Sequence, residues 1–139
     1  MFEVFEHTAD LGIRVRGSSL EELFADAGRG VISQLANLAT VQPVSEKAIT
    51  LAGESLDYLL FDWLTELLYA FEESHLLLSE FDVHIRHADN EYQLTATCRG
   101  EVADEARHDL EHEVKAITYH GLFVNQTAEG WEAEVIVDI

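Results

Sequence analysis

The chain has 139 residues, is 47% hydrophobic, and carries a formal charge of −19 from 27 acidic against 8 basic residues. That length and apolar content describe one domain, residues 1–139, with its own core, and exclude an intrinsically disordered chain. A field so negative repels phosphate backbones, so direct nucleic-acid binding is not expected; cations or basic protein surfaces are the natural partners.

In chain order, the first element is a strand. From Leu11 to Arg16, the residues Leu11, Ile13 and Val15 alternate with Gly12, Arg14 and Arg16, a period of two that marks a half-buried strand. Asp10 falls on its polar face. "GSSLEELF" then begins a helix, because Ser19 and Glu22 have capping-box spacing. Leu20, Leu23, Phe24, Ala27, Val31 and Leu35 form its apolar stripe. Pro43 marks a loop, and "KAITLA" (47–52) supplies a strand. A second helix begins near Ser55 and buries Leu56, Leu59, Leu60, Trp63, Leu64, Leu67 and Leu68.

The second half is mostly strand. Phe81, Val83 and Ile85 alternate with Asp82, His84 and Arg86; after a turn at Ala88-Asp89-Asn90, Tyr92, Leu94, Ala96 and Cys98 repeat the pattern. "HDLEHE" (108–113) reads as irregular or a short helical turn. "VKAITYHGLFV" (114–124) and "GWEAEVIVDI" (130–139) read as a closing hairpin around a turn containing Gly130. The order of elements predicts an α+β fold, a mainly antiparallel sheet with two helices packed on one face.

Both ends of the chain carry an oddly placed acid. Asp10 stands at the mouth of an apolar strand. On the last strand, parity puts Ala133, Val135, Val137 and Ile139 on one face, and Glu132, Glu134, Ile136 and Asp138 on the other. If the first and last strands are neighbours, Asp10, Asp138 and the α-carboxylate of Ile139 converge. Like charges that close must protonate or recruit a cation, and oxygen ligands alone select Ca²⁺, Mg²⁺ or Mn²⁺ over zinc. The plainer alternative is that Asp10 caps a turn and Asp138 is a solvated strand end.

Other candidates are weaker. His84 and His87 point to opposite faces of a strand, and His108 and His112 lack the glutamate that a zincin motif places after its first histidine. Solvated histidines are the expected account of all four. Cys98 lies on an apolar parity and reads as a small buried hydrophobe; being single, it forms no intrachain disulfide. No phosphate loop or nucleophile elbow occurs. Lys115, one of two lysines in the chain, is either a local partner for Glu113 or Glu111 or a functional group. The N-terminal residues lack the pattern of a signal peptide, and the apolar stretch Leu59–Leu68 is interrupted by Asp62 and Glu66, so a soluble, cytoplasmic protein with no membrane association is expected.

"EHTADLGIRVRGSSLEELF", "SLDYLLFDWLTELLY", "EVKAITYHGLFV" and the terminal "DI" follow one another in an order that resembles the archease family over nearly the whole chain. The resemblance implies a sheet with packed helices and a role as accessory protein to the RtcB-type RNA ligase of tRNA splicing or RNA repair. There it would promote the GTP-dependent guanylylation of the ligase and so its multiple turnover, without itself being an enzyme. It also implies that Asp10, Asp138 and the terminal carboxylate of Ile139 are cation ligands, with calcium the expected ion and Mg²⁺ or Mn²⁺ as alternatives. Lys115 and, less directly, His7 match candidates for activating the partner. Leu11 and Val137 depart from common family residues, but neither is a ligand. A chaperone or adaptor for RNA-modifying enzymes is the competing reading. A free-standing metal-dependent hydrolase lacks an identifiable general base or pocket.

Overall fold

Two helices begin where serines cap them. The computed structural model describes residues 1–7, 10–108, 110 and 113–139, with His7 described by its backbone alone. Among these the order is β1 (Phe2–His7), β2 (Asp10–Gly17), α1 (Leu20–Leu35), β3 (Ser45–Gly53), α2 (Leu56–Ser74), β4 (Leu76–Ala88), β5 (Glu91–Val102), β6 (Ala116–Ile117), β7 (Phe123–Thr127) and β8 (Gly130–Asp138). A 3-10 turn at Leu38–Thr40 follows α1.

At the start of α1 the Ser19 hydroxyl oxygen accepts from the backbone amide of Glu22 at 3.1 Å. This satisfies one of the amides that a helix N-terminus leaves without an internal partner. The return half of the expected capping box is shifted by one residue, since the Glu22 carboxylate accepts from the Ser18 hydroxyl at 2.6 Å. Ser55 caps α2 in the same manner, accepting from the Tyr58 amide at 3.3 Å. That helix ends at His75, which takes the left-handed conformation with φ 54° and donates its amide to the carbonyl of Phe71 at 2.8 Å.

The strands form two antiparallel sheets. One has the order β1-β2-β8-β6, with β7 also pairing β8; the other is β3-β5-β4. Each sheet has a polar face and an apolar one. Ile13, Val15, Ala133, Val135 and Val137 are buried on the first; Ile49, Val83, Leu94, Ala96 and Cys98 are buried on the second. Helix α1 packs against β1, β2 and β8 of one sheet and β4 of the other, and α2 against β3, β4 and β5 as well as β6 and β7. The expected α+β arrangement, helices over one face of an antiparallel sheet, thus holds for two sheets that share one helical layer. Trp63 lies at the centre of that layer, fully buried, with its indole N–H donating to the carbonyl of Phe24 at 2.8 Å.

Two local departures from the expected pattern have physical causes. The stretch 114–124 is not one strand. It pairs with β8 at Ala116–Ile117, leaves the sheet, and returns as β7, with Gly121 at φ 66° in the intervening loop. In the second sheet a bulge between Leu78 and Glu80 shifts the β4–β5 register. Gly100 lies opposite Leu78, and a side chain there would collide with the main chain of Leu77. The two-residue turn Asp89-Asn90, both at positive φ (53° and 59°), closes the β4–β5 hairpin as expected.

Candidate functional site

The β1–β2–β8–β6 sheet brings the two ends of the chain side by side. In the β2–β8 ladder Asp10 is directly opposite Asp138, and the pairing continues through Leu11 and Val137 to Gly17 and Trp131. Across β1 and β2 the backbone of His7 is opposite Asp10, and across β6 and β8 Ala116 is opposite Asp138. One row at the rim of the sheet therefore runs His7, Asp10, Asp138, Ala116. Directly opposed residues share a face, with Cβ atoms about 5 Å apart. Both aspartates are half-buried, and the backbone N–H of Lys115 donates to the carbonyl of Asp138 at 2.7 Å.

The neighbouring polar residues show why these two acids stand apart. Next along the same face of β2, Arg14 meets Glu134 at 3.2 Å and Glu3 at 3.0 Å, and Arg16 meets Glu132 at 3.3 Å. Cross-strand carboxylates on this face are matched with arginines until the last row. There, among the described residues, neither Asp10 nor Asp138 has an ion-pair partner. Gly12 separates Asp10 from Arg14 because the Phe5 ring occupies the space that a side chain at residue 12 would need. The Arg14 guanidinium in turn lies over that ring, 4.8 Å from its centroid.

Ile139 follows Asp138 and is half-buried, packed against the core beside the same rim. The two opposed side-chain carboxylates offer oxygen donors only, the chemistry of a hard divalent cation rather than of zinc. Among the described residues no group of three His, Cys, Asp or Glu side chains is placed to hold a metal. Lys115 is exposed and makes no ion pair among the described residues, Glu113 included. Glu111 and the side chain of His7 lie outside the described residues.

The histidines divide. His84 and His87 are exposed as expected, the first 3.3 Å from Asp82 and the second stacked on Tyr92 with centroids 4.0 Å apart. His112 lies outside the described residues, as do Asp109 and Glu111 of the segment 108–113. His108 corrects the expectation of solvated histidines, for it is wholly buried. Its Nδ1 accepts from the backbone N–H of Asp104 at 2.8 Å, which leaves the ring proton on Nε2 to donate to Glu101 at 2.6 Å. The same Glu101 oxygen accepts from Arg107 and, at 3.1 Å, from the amide of Gln42. These bonds, that from Arg107 foremost, hold the Glu101 carboxyl down at about 2 despite its burial. The cluster ties the loop after β5 to the segment before β3. It escaped the sequence reading because Glu101 follows the end of the alternating run, and only the fold supplies a partner for His108.

Cys98 is buried as expected, and burial pushes its thiol up to about 12. No described helix is long and apolar enough to cross a membrane.

The fold and site together define an antiparallel α+β domain whose second and last strands, β2 and β8, join to set an acidic rim without an ion-pair partner among the described residues. A model of the Archease protein family (MTH1598/TM1083) matches residues 2–139. The chain is 37% identical to the archeases of Methanosarcina barkeri and Pyrococcus furiosus; in each case the match covers 99% of this chain, with 95% and 98% of the relative. The solution structure of protein 1598 of Methanobacterium thermoautotrophicum superposes with a TM-score of 0.88 at 33% identity, covering 99% of this chain and 98% of that one. An archease from Thermotoga maritima, described as a possible chaperone, has the same fold at TM-score 0.63 and 21% identity, covering 100% and 98% of the two chains. The chain belongs to the archease family.

Proposed function

We propose that this protein is a non-catalytic activator of an RtcB-type, GTP-dependent RNA ligase, promoting the ligase's guanylylation and its multiple turnover in tRNA splicing or RNA repair. The observation that carries the reading is the rim itself, with Asp10 opposite Asp138 in the β2–β8 ladder and Lys115 bonded through its backbone to Asp138. Membership of the archease family supports it.

In this reading Asp10, Asp138 and the Ile139 carboxylate hold a divalent cation, with calcium expected first. Such a cation, when bound, would offset the repulsion between the carboxylates and would supply a Lewis-acidic centre for phosphate oxygens. The chain's own residues do the rest. The β2–β8 ladder holds the two acids on one rigid rim, so little order is lost when the rim enters a partner's active site. Lys115, exposed beside Asp138, brings a cationic head to the nucleotide phosphates or to a partner carboxylate. His7 stands at the outer end of the same backbone row. The charge of −19 favours a basic, RNA-binding surface on the partner. Stabilising the guanylylation transition state by about 4 kcal/mol is worth roughly a thousandfold in rate.

The test is multiple-turnover ligation by the cognate ligase at limiting enzyme with excess GTP and RNA. Stalling near one equivalent without this protein, and continued turnover with it, upholds the reading. Turnover indifferent to the protein overturns it and moves a chaperone or adaptor role for RNA-modifying enzymes to first place. Identifying the dominant partner in a pull-down from native extract then tests that role.

A further inference from the structure

The outward side of α2 is unusual for an exposed helix face. Tyr58, Asp62, Thr65, Tyr69 and Glu72 recur at spacings of three and four residues and share one stripe. Tyr58 is 59% exposed and Tyr69 55%. The loop between β6 and β7 adds Tyr119, 52% exposed, whose ring stacks on Phe61 with centroids 3.9 Å apart and meets Tyr58 edge-on at 5.4 Å. The stacked pair stands between two hollows. One, of about 340 Å³, is lined by Asp57, Tyr58, Tyr119 and Leu122. The other, of about 180 Å³, is lined by residues that include Phe61, Tyr69, Glu72 and Lys115, and so reaches the strand end beside Asp138.

Carboxylates ring these aromatics. Glu73 foremost, with Glu66 and Glu72, lies close enough to raise the Tyr69 hydroxyl above its ordinary value, and burial first and Asp62 next do the same for Tyr119. Rigid, exposed aromatics beside concave hollows are the composition of binding hot spots, and they form large contacts at small cost in side-chain entropy. The surrounding charge selects the occupant. A nucleic acid, an anionic membrane or a second copy of this chain would bring negative charge against negative charge. An arginine meets both halves of the face, since its guanidinium stacks on a tyrosine ring while its donors fork onto a carboxylate.

We propose that the face formed by Tyr58, Phe61, Asp62, Tyr69 and Tyr119 is the docking surface for a basic polypeptide partner, which seats an arginine side chain in the hollow lined by Asp57, Tyr58 and Tyr119. In identifying that partner with the ligase, this rests on the function proposed above. The face then supplies affinity, and the acidic rim beside it supplies activation.

Calorimetric titration of the full chain against the cognate ligase tests the division. Tyr58→Ala and Tyr119→Ala are expected to weaken binding at least tenfold each, Tyr119→Phe to keep it, and Asp62→Asn to reduce its dependence on salt. Asp10→Asn should bind within twofold of wild type while losing stimulation of turnover. Tyrosine variants that remain folded by circular dichroism and bind like wild type overturn the docking surface, and leave the function standing if turnover is still stimulated. If the wild-type chain does not bind the ligase, the function falls and octa-arginine becomes the probe. Amide NMR shifts concentrated at 58–73 and 115–122, and lost in the Tyr58→Ala/Tyr119→Ala double variant, uphold the face. Shifts spread over all acidic surfaces, or none, overturn it.

Discussion

Asp10 and Asp138 are direct cross-strand partners in the β2–β8 ladder, two carboxylates opposed without an ion-pair partner among the described residues. Four pairs further along the same ladder, on the same face, Arg14 and Glu134 stand opposite each other with opposite charges. Among the described residues, the arginines of that face are matched with glutamates, while the rim sets a like-charge pair that costs stability.

Relief of that repulsion is measurable without any activity assay. In chelator, Asp138→Asn is expected to raise stability by about 0.5 kcal/mol, the ordinary scale of a cross-strand charge pair. Saturating calcium, at about a hundred times its dissociation constant, should stabilise wild type by about 2.7 kcal/mol and leave Asp10→Asn and Asp138→Asn nearly unmoved. Thermal unfolding of the three proteins with and without calcium decides the matter. Equal calcium shifts in all three would exclude these side chains as ligands.

Lys115→Ala separates activation from folding. The side chain is exposed and without an ion pair among the described residues, so its removal should change stability by less than about 0.5 kcal/mol. Stimulation of ligase turnover should nonetheless fall more than tenfold. Full stimulation by the variant would reduce Lys115 to a surface charge.

Acid stability should report on Glu101. Its carboxyl is held at about 2 in the folded chain against an ordinary 4.5, chiefly by Arg107. Between those values the unfolded chain binds the extra proton, so stability rises with pH across this window. The contribution is complete above pH 4.5 and disappears as pH falls toward 2. Denaturant unfolding from pH 5 downward should therefore show a shallower pH dependence in Glu101→Gln than in wild type. Identical slopes would mean that the Arg107 and His108 bonds do not favour the carboxylate.

Cys98 should be inert while the chain is folded. Burial raises its thiol to about 12, opposed weakly by Lys47 across the β3–β5 ladder, so almost no thiolate exists at neutral pH. Reaction with Ellman's reagent is expected only at the rate of unfolding, and should quicken in urea in step with the unfolding transition. Prompt stoichiometric labelling in native buffer would show that the β3–β5–β4 sheet opens locally.

Trp63→Phe probes the helical layer. The change deletes the hydrogen bond to the Phe24 carbonyl and part of the edge-on contact with Phe81, whose centroid is 5.7 Å away. A loss of about 2–3 kcal/mol is expected from the orphaned carbonyl and the unfilled volume. Chemical denaturation measures it, and a loss below about 0.5 kcal/mol would place the tryptophan outside the core's energetics.

The helices, the strand faces and the turn at Asp89-Asn90 were legible in the residues because each is a local matter. A capping serine, a 3.6-residue stripe or a period of two acts within a few residues of itself. The parity that set Asp10 and Asp138 on polar faces was equally local. The cation-ligand role proposed for those acids rested on a resemblance to a family and on a supposed adjacency of two strands, and alternation said nothing of which strands are neighbours.

Tertiary structure alone decided that adjacency. Backbone hydrogen bonds between strands carry no label of sequence, so β2 pairs with β8 because their apolar faces, Ile13 and Val15 with Val135 and Ala133, are buried together under α1. Long-range burial likewise divided the strands into two sheets, drew His108 inward onto Glu101, and laid Tyr119 on Phe61. By itself the sequence determined the elements and the faces their side chains occupy. Which faces meet, and hence which charges are left opposed at the rim, was settled by the packing of one core from segments far apart in the chain.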